Sequence, residues 1–239
     1  MKRAVIIGAS SGIGRELAKT FSQNGCSLGL AARRLELLET LKAELAGEAH
    51  VRQMDVSQAE KAVTILDEII EELGGMDLII ISAGVDLHDS KLDWNKTEET
   101  ININAKGFAA LANAAFDYFS KQSSGHIVGI SSIAGLRGSA DHPAYSASKA
   151  FVSNYLEGLR MKTLKSGLNI HVTDIRPGNV DTPMTRGHDG MFWAMPAEKA
   201  ARQIFDAVRQ KKKIAYVTKR WGLIARIMRV LPDRLLIKF

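Results

Sequence analysis

The sequence lacks the means to build a cross-linked, metal-bound or membrane-spanning protein. One cysteine, Cys26, stands among 239 residues, so no internal disulfide forms and a reducing compartment is the expected setting. The histidines, His50, His88, His126, His142, His171 and His188, are scattered with no pair at metal-ligand spacing, which argues against a zinc site. No uncharged apolar run approaches the length that spans a bilayer. Met1-Lys2-Arg3 leads straight into Ala4-Val5-Ile6-Ile7, too short an apolar stretch for a signal peptide. Internal repeats, low-complexity tracts and Pro/Gly-rich linkers are missing too. A cytoplasmic protein, or one held only at a membrane surface, is the expectation.

What is present is ordinary in amount and uneven in place. Hydrophobic residues make up 46%, charged residues 24% and aromatics 6%, which excludes disordered, collagen-like and coiled-coil chains. The net charge is +6, yet the stretch 201–239 alone carries eleven Lys/Arg against Asp206 and Asp233, a local +9 that leaves −3 for the first two hundred residues. A nucleic-acid binder with a basic surface throughout is disfavoured; a local basic element at the end is not.

Short apolar runs at 5–8, 28–32, 51–54, 78–82, 126–131 and 169–175 read as strands. Amphipathic segments at 15–24, 35–46 and 61–73 lie between them, the last with Val63, Leu66, Ile69, Ile70 and Leu73 on one stripe. Near-continuous apolar strands alternating with helices predict an α/β fold, a single doubly wound parallel sheet with helices on both faces. The expected layout is a Rossmann-like body over 1–218, a substrate lid near 183–196 and a basic amphipathic tail over 219–239.

The first strand ends in Gly8-Ala9-Ser10-Ser11-Gly12-Ile13-Gly14. After strand one of a β-α-β unit, such a turn aims loop and helix N-terminal amides at a pyrophosphate. The second strand ends in Ala32-Arg33-Arg34, with no carboxylate for the adenosine ribose hydroxyls. An arginine there pairs instead with a ribose 2′-phosphate, so NADP(H) is preferred over NAD(H), with Arg33 as the candidate. Of two adjacent arginines, at least one is expected to be a solvated charge at a helix start.

Tyr145 and Lys149 stand four apart on one face of an expected helix. A free phenol titrates near pH ~10 and a neighbouring ammonium lowers that value, which tunes it for proton transfer. Ser131-Ser132 lies upstream at a strand end. With Asp55-Val56, Ala83-Gly84, Asn104 and Pro177-Gly178 in the same order, the chain resembles the short-chain dehydrogenase/reductase family over nearly its whole length.

That resemblance implies a metal-free Rossmann-fold oxidoreductase using NAD or NADP. It implies that Tyr145 exchanges a proton with the substrate oxygen while hydride passes to or from the nicotinamide. Lys149 would bind the nicotinamide ribose and lower the tyrosine pKa, Ser132 would polarise the carbonyl, and Asn104 would hold a water of the proton relay. Asp55 and Val56 would contact adenine, while Pro177, Gly178, Val180 and Thr182 would bracket the carboxamide. A homodimer or homotetramer is implied, through helices that include the one bearing Tyr145. Two positions depart from the family: Ile7 replaces a threonine, and Ile81-Ser82-Ala83-Gly84 replaces Asn-Asn-Ala-Gly.

The Met- and aromatic-rich stretch 183–196, with Met184, Met191, Phe192, Trp193 and Met195, suits a mainly apolar alcohol or carbonyl substrate, or packing on protein. Arg186 and His188 could meet a polar group. In the tail, Trp221, Ile224, Ile227, Met228 and Leu231 fall on one helical face opposite Arg226 and Arg229. Pro232 stops that helix, and Leu235, Leu236, Ile237 and Phe239 follow. Docking onto protein and contact of 220–239 with a membrane both fit such a helix. The rival functional reading is a non-catalytic NAD(P)-binding or regulatory protein of the same fold. Nucleic acid is not an expected partner, because no reading element accompanies the charge.

Overall fold

The computed structural model describes residues 2–185 and 193–236. Its strands are β1 (Arg3–Ile7), β2 (Ser27–Ala32), β3 (Ala49–Gln53), β4 (Leu78–Ile81), β5 (Ser124–Ile130), β6 (Asn169–Pro177), the short β7 (Val180–Asp181) and β8 (Met195–Pro196), and β9 (Ile214–Val217). The helices are α1 (Gly12–Gln23), α2 (Leu35–Glu44), α3 (Ala59–Glu72), α4 (Trp94–Ile101), α5 (Phe108–Gln122), α6 (Pro143–Ser166), α7 (Ala197–Arg209), α8 (Lys219–Val230) and α9 (Asp233–Leu236). A seven-stranded parallel sheet runs in the order β3-β2-β1-β4-β5-β6-β9, and β7 pairs with β8 apart from it. The order reverses between β1 and β4, which opens a crevice beyond their carboxyl ends.

Strand periodicity divides the core between the two faces. Ala4 and Ile6 of β1, with Leu78 and Ile80 of β4, pack towards Leu17 and Phe21 of α1 and Ile204 and Val208 of α7. Their neighbours Val5, Ile7, Ile79 and Ile81 face the opposite way, onto Leu66 and Ile69 of α3, Phe108 and Phe119 of α5 and Leu156 of α6. The doubly wound parallel sheet expected from the apolar runs is the architecture present. β6 extends past the expected end at 175 because Arg176, polar in the sequence, is buried by an ion pair: its Nε lies 2.7 Å from Asp174 Oδ2.

The tail helix α8 docks on the body with the face expected, Ile227 excepted: Trp221, Ile224, Met228 and Leu231 turn inward while Arg226 and Arg229 are exposed. Trp221 and Ala225 are buried, whereas Ile227 is 50% exposed beside Leu223 at 64% and Val230 at 80%. Trp221 is drawn in because Gly178 has no side chain; a Cβ there would stand 2.2 Å from the indole. Arg137 fixes the other end of the helix, donating to the carbonyls of Met228 (2.9 Å) and Leu231 (2.8 Å). Of the expected lid and tail residues, Arg186, His188, Met191, Phe192, Ile237 and Phe239 lie outside the described residues.

Candidate active site

A cleft opens where the strand order reverses. Its first wall is the β1–α1 loop, with Gly8, Ser10, Ser11, Gly12 and Ile13. Gly8 has φ +89°, and a Cβ on it would meet the Ala83 backbone nitrogen at 2.6 Å, so only glycine lets the loop lie against the β4 exit. Gly14 does not line the cleft; a Cβ there would strike the Gly8 carbonyl oxygen at 2.2 Å, and its smallness lets α1 begin directly beneath the loop. No side-chain cap satisfies the first amides of α1, and amides of that kind at a helix start attract a phosphate.

The second wall forms at the ends of β2 and β3. Arg33 and Arg34 both line it, in different ways. The Arg34 guanidinium donates to the hydroxyls of Ser10 (3.1 Å) and Ser11 (3.0 Å), bracing the glycine loop. Arg33 is 56% exposed and, among the described residues, its side chain is held only by a 4.0 Å approach to Glu99. Asp55 and Val56 complete this end. The Asp55 carboxylate accepts from the Ser57 amide at 3.0 Å and hydroxyl at 2.7 Å, which fixes the turn into α3. A dinucleotide fits this cradle: the glycine positions have no room for side chains, and two cations face its outer end.

At the far end, Ala83, Gly84, Ser132, Tyr145, Lys149, Pro177, Gly178, Val180 and Thr182 close the cleft. Pro143 at the first turn of α6 sets the start of the helix. One turn on, Tyr145 and Lys149 share a face, with Lys149 Nζ 5.6 Å from the phenol ring centroid and donating to the Ile130 carbonyl at 3.0 Å. Lys149 is buried, and burial pulls its ammonium down to about 8, against the attraction of Asp86 and Asp174. The phenol shifts the opposite way from the lowering implied by the family resemblance. Desolvation pushes it above its ordinary range, Asp86 adds to this, and a hydrogen bond with Ser132 opposes it. Exclusion of water is the largest of these effects.

Asn104 is buried behind the cleft wall rather than lining it. It sits in a π-helical turn, Asn102–Gly107, of the kind often found at functional sites. Its amide nitrogen donates to the Val85 carbonyl (2.8 Å) and the Ser148 hydroxyl (3.0 Å), and its oxygen accepts from the Val85 amide (2.8 Å). The side chain therefore ties the β4 exit loop to α6, and a water in the relay would have to use its remaining acceptor capacity or its backbone. Ser131 points inward, donating to Asp174 at 2.5 Å and to the Ile175 carbonyl at 3.0 Å. Its neighbour Ser132 accepts from the Ala134 amide at 3.1 Å and lines the cleft.

Residues 2–190 match the family model described as short chain dehydrogenase. The chain belongs to that family. An uncharacterized oxidoreductase of Staphylococcus epidermidis is 35% identical over 216 residues, covering 89% of this chain and 93% of its own. One from Mycobacterium tuberculosis is 33% identical over 249 residues, covering 100% of this chain and 97% of its own. Among solved structures, a short-chain dehydrogenase from Sphingobium yanoikuyae in complex with NADPH superposes with a TM-score of 0.80 at 23% identity, covering 98% of this chain and 97% of that one. The closed form of serine dehydrogenase complexed with NADP+ gives 0.80 at 26% identity, covering 90% and 93%.

This short-chain dehydrogenase is an oxidoreductase, and its two departures from the family pattern occur together. Ile7 and Ile81 are register partners on β1 and β4 and lie in one apolar cluster. Where the resemblance leads one to expect two polar side chains, two isoleucines pack together. Ser82 keeps its place at the edge of the cleft, its amide donating to the Ile7 carbonyl at 2.9 Å.

The dehydrogenase also carries a carboxylate–histidine contact that the sequence pattern did not single out. Asp86 Oδ1 lies 2.7 Å from His142 Nδ1, across 56 positions of chain. The His142 ring meets that of His88 edge-on, with centroids 5.1 Å apart. His142 precedes Tyr145 by three residues, and that helical spacing was the one available signal. Among the described residues, no group of three or more His, Cys, Asp or Glu converges to hold a metal ion.

Proposed function

We propose that this short-chain dehydrogenase interconverts an alcohol and a ketone or aldehyde on a mainly apolar substrate, using NADP(H) in preference to NAD(H). The observation that carries the reading is the gathering of Ser132, Tyr145 and Lys149 at the end of a cleft whose other end is a glycine loop flanked by Arg33 and Arg34. The nicotinamide, when bound, supplies or accepts the hydride.

Ser132 orients the substrate oxygen and Tyr145 holds a proton beside it. A buried phenol that keeps its proton is suited to donate as negative charge develops on a carbonyl oxygen. Lys149 anchors the ribose and offsets charge on the phenol. Asn104 acts behind them, fixing α6 against the β4 exit. Gly8, Ser10, Ser11, Gly12, Ile13 and the start of α1 at Gly14 hold the pyrophosphate, Asp55 and Val56 the adenine, and Pro177, Gly178, Val180 and Thr182 the carboxamide.

Arg33 is assigned the 2′-phosphate because it is free to turn, whereas Arg34 is engaged with the loop serines. The NADPH complex of the Sphingobium enzyme and the NADP+ complex of serine dehydrogenase support this cofactor. Exposed Ile101 of α4 and Phe151, Met161 and Leu164 of α6 support a homodimer or homotetramer built on these helices.

The test is NADPH oxidation, followed by absorbance, against ketones and aldehydes of graded chain length. Turnover should rise with apolar chain length; no turnover on any member of the series would overturn the reading.

A further inference from the structure

Docking through Trp221 and Ala225 leaves α8 with a second apolar stripe on its outer side. Leu223, Ile227 and Val230 follow at spacings of four and three, all at least half exposed, and Leu235 at 47% continues beyond the helix. This is the spacing of one helical face. The helix is not loosely attached: Trp221 fills the space over Gly178, and Arg137 caps the carbonyl end and pairs with Asp233 at 2.5 Å. An exposed apolar stripe on an anchored helix needs something to cover it.

The charge around the stripe selects the partner. Arg226 and Arg229 stand on the exposed side of the same helix, and among the described residues neither has an acidic partner. The last 39 residues carry net +9, against −3 for the rest. Two-fold packing of α8 on a second copy would press Arg226 and Arg229 towards their own counterparts, so like charges oppose that arrangement. Nucleic acid would meet the arginines and leave the leucine, isoleucine and valine uncovered. A bilayer with anionic headgroups satisfies both features, because apolar side chains enter the acyl boundary while arginines remain among phosphates.

We infer that the outer face of α8 is an interfacial binding surface for anionic lipid bilayers. The inner face touches Gly178 of the cleft, and Arg220 donates to the Trp193 carbonyl at 3.0 Å while lying 4.8 Å from its ring centroid. Binding through α8 therefore brings the substrate end of the cleft to the lipid surface. That consequence, a route for apolar substrates from the bilayer, rests on the proposed function; the binding itself does not.

The experiment is co-sedimentation of the purified full chain with vesicles of phosphatidylcholine alone or mixed with phosphatidylglycerol. The chain should pellet with the mixed vesicles at low ionic strength and be released by salt. Combined Leu223→Asn, Ile227→Asn and Val230→Asn substitutions should weaken binding by about tenfold or more. Arg226→Glu with Arg229→Glu should do the same. All five side chains are exposed, and an unchanged thermal midpoint verifies folding. Failure of the wild type to pellet with phosphatidylglycerol vesicles at low salt overturns the inference. So does light scattering that shows a dimer lost in the triple variant, which assigns the stripe to a second copy. Turnover on the carbonyl series, measured without vesicles, separates failure of this inference from failure of the enzymatic one.

Discussion

At the residue scale, the adjacent arginines at the end of β2 have separate tasks. Arg34 is committed to Ser10 and Ser11, so its loss should loosen the phosphate loop for either cofactor. Among the described residues Arg33 has only the distant Glu99, and it is the group proposed to meet a 2′-phosphate. Charge-assisted hydrogen bonds contribute roughly 1.5–3 kcal/mol. Arg33→Asp should therefore lower kcat/KM for NADPH by about tenfold to a hundredfold while leaving NADH almost unchanged, and Arg34→Ala should lower both. Steady-state kinetics with the two cofactors checks this; a constant ratio in the Arg33 variant would move the 2′-phosphate to another residue. The Tyr145 environment teaches a related lesson. Sequence spacing placed an ammonium beside a phenol, but the sign of the phenol's shift follows from burial and from Asp86, neither of which spacing reveals.

At the scale of elements, the strands were legible because both sheet faces are covered. The run at 78–82 contains no polar break before Ser82 and forms β4. β6 runs past the expected end at 175 because Arg176 looks like a surface charge and is in fact buried by its pair with Asp174. The tail helix was legible both as a helix and in its inward face, except at Ile227, which belongs to a second apolar stripe with Leu223 and Val230. Which one turns inward is decided by Gly178 and Arg137, far away in sequence. The paired strands β5 and β6 also bury a histidine. His126 is pulled down to about 3 by desolvation, then by His171 and Lys211, and its Nε2 lies 2.8 Å from the Thr173 hydroxyl. The folded protein keeps this ring neutral, while the unfolded chain takes up a proton below about pH 6.5. Stability from this group is complete above that value and is lost as the pH falls towards 3. Between pH 7 and 5 the loss should be about 2 kcal/mol. Urea denaturation at the two pH values measures it, and His126→Gln should remove that part of the dependence; an unaltered slope would contradict the neutral buried ring.

At the scale of the whole molecule, the cleft lies at the carboxyl ends of the main sheet, and the charge is divided between a mildly acidic body and a basic end. The cleft was legible because the glycine loop, Tyr145 and Lys149 keep fixed places relative to strand ends. The link between α8 and Gly178 was not, because it depends on a side chain that glycine lacks. The proposed reaction at this cleft needs a proton held beside the substrate oxygen, and Tyr145 is the group proposed to hold it. The direct measurement is single-turnover NADPH oxidation by Tyr145→Phe with the best carbonyl of the series, alongside NADPH binding by fluorescence. The rate should fall by at least about a hundredfold with the NADPH Kd within about twofold of wild type, a shift of about 0.4 kcal/mol. Retained turnover at unchanged affinity would contradict the account.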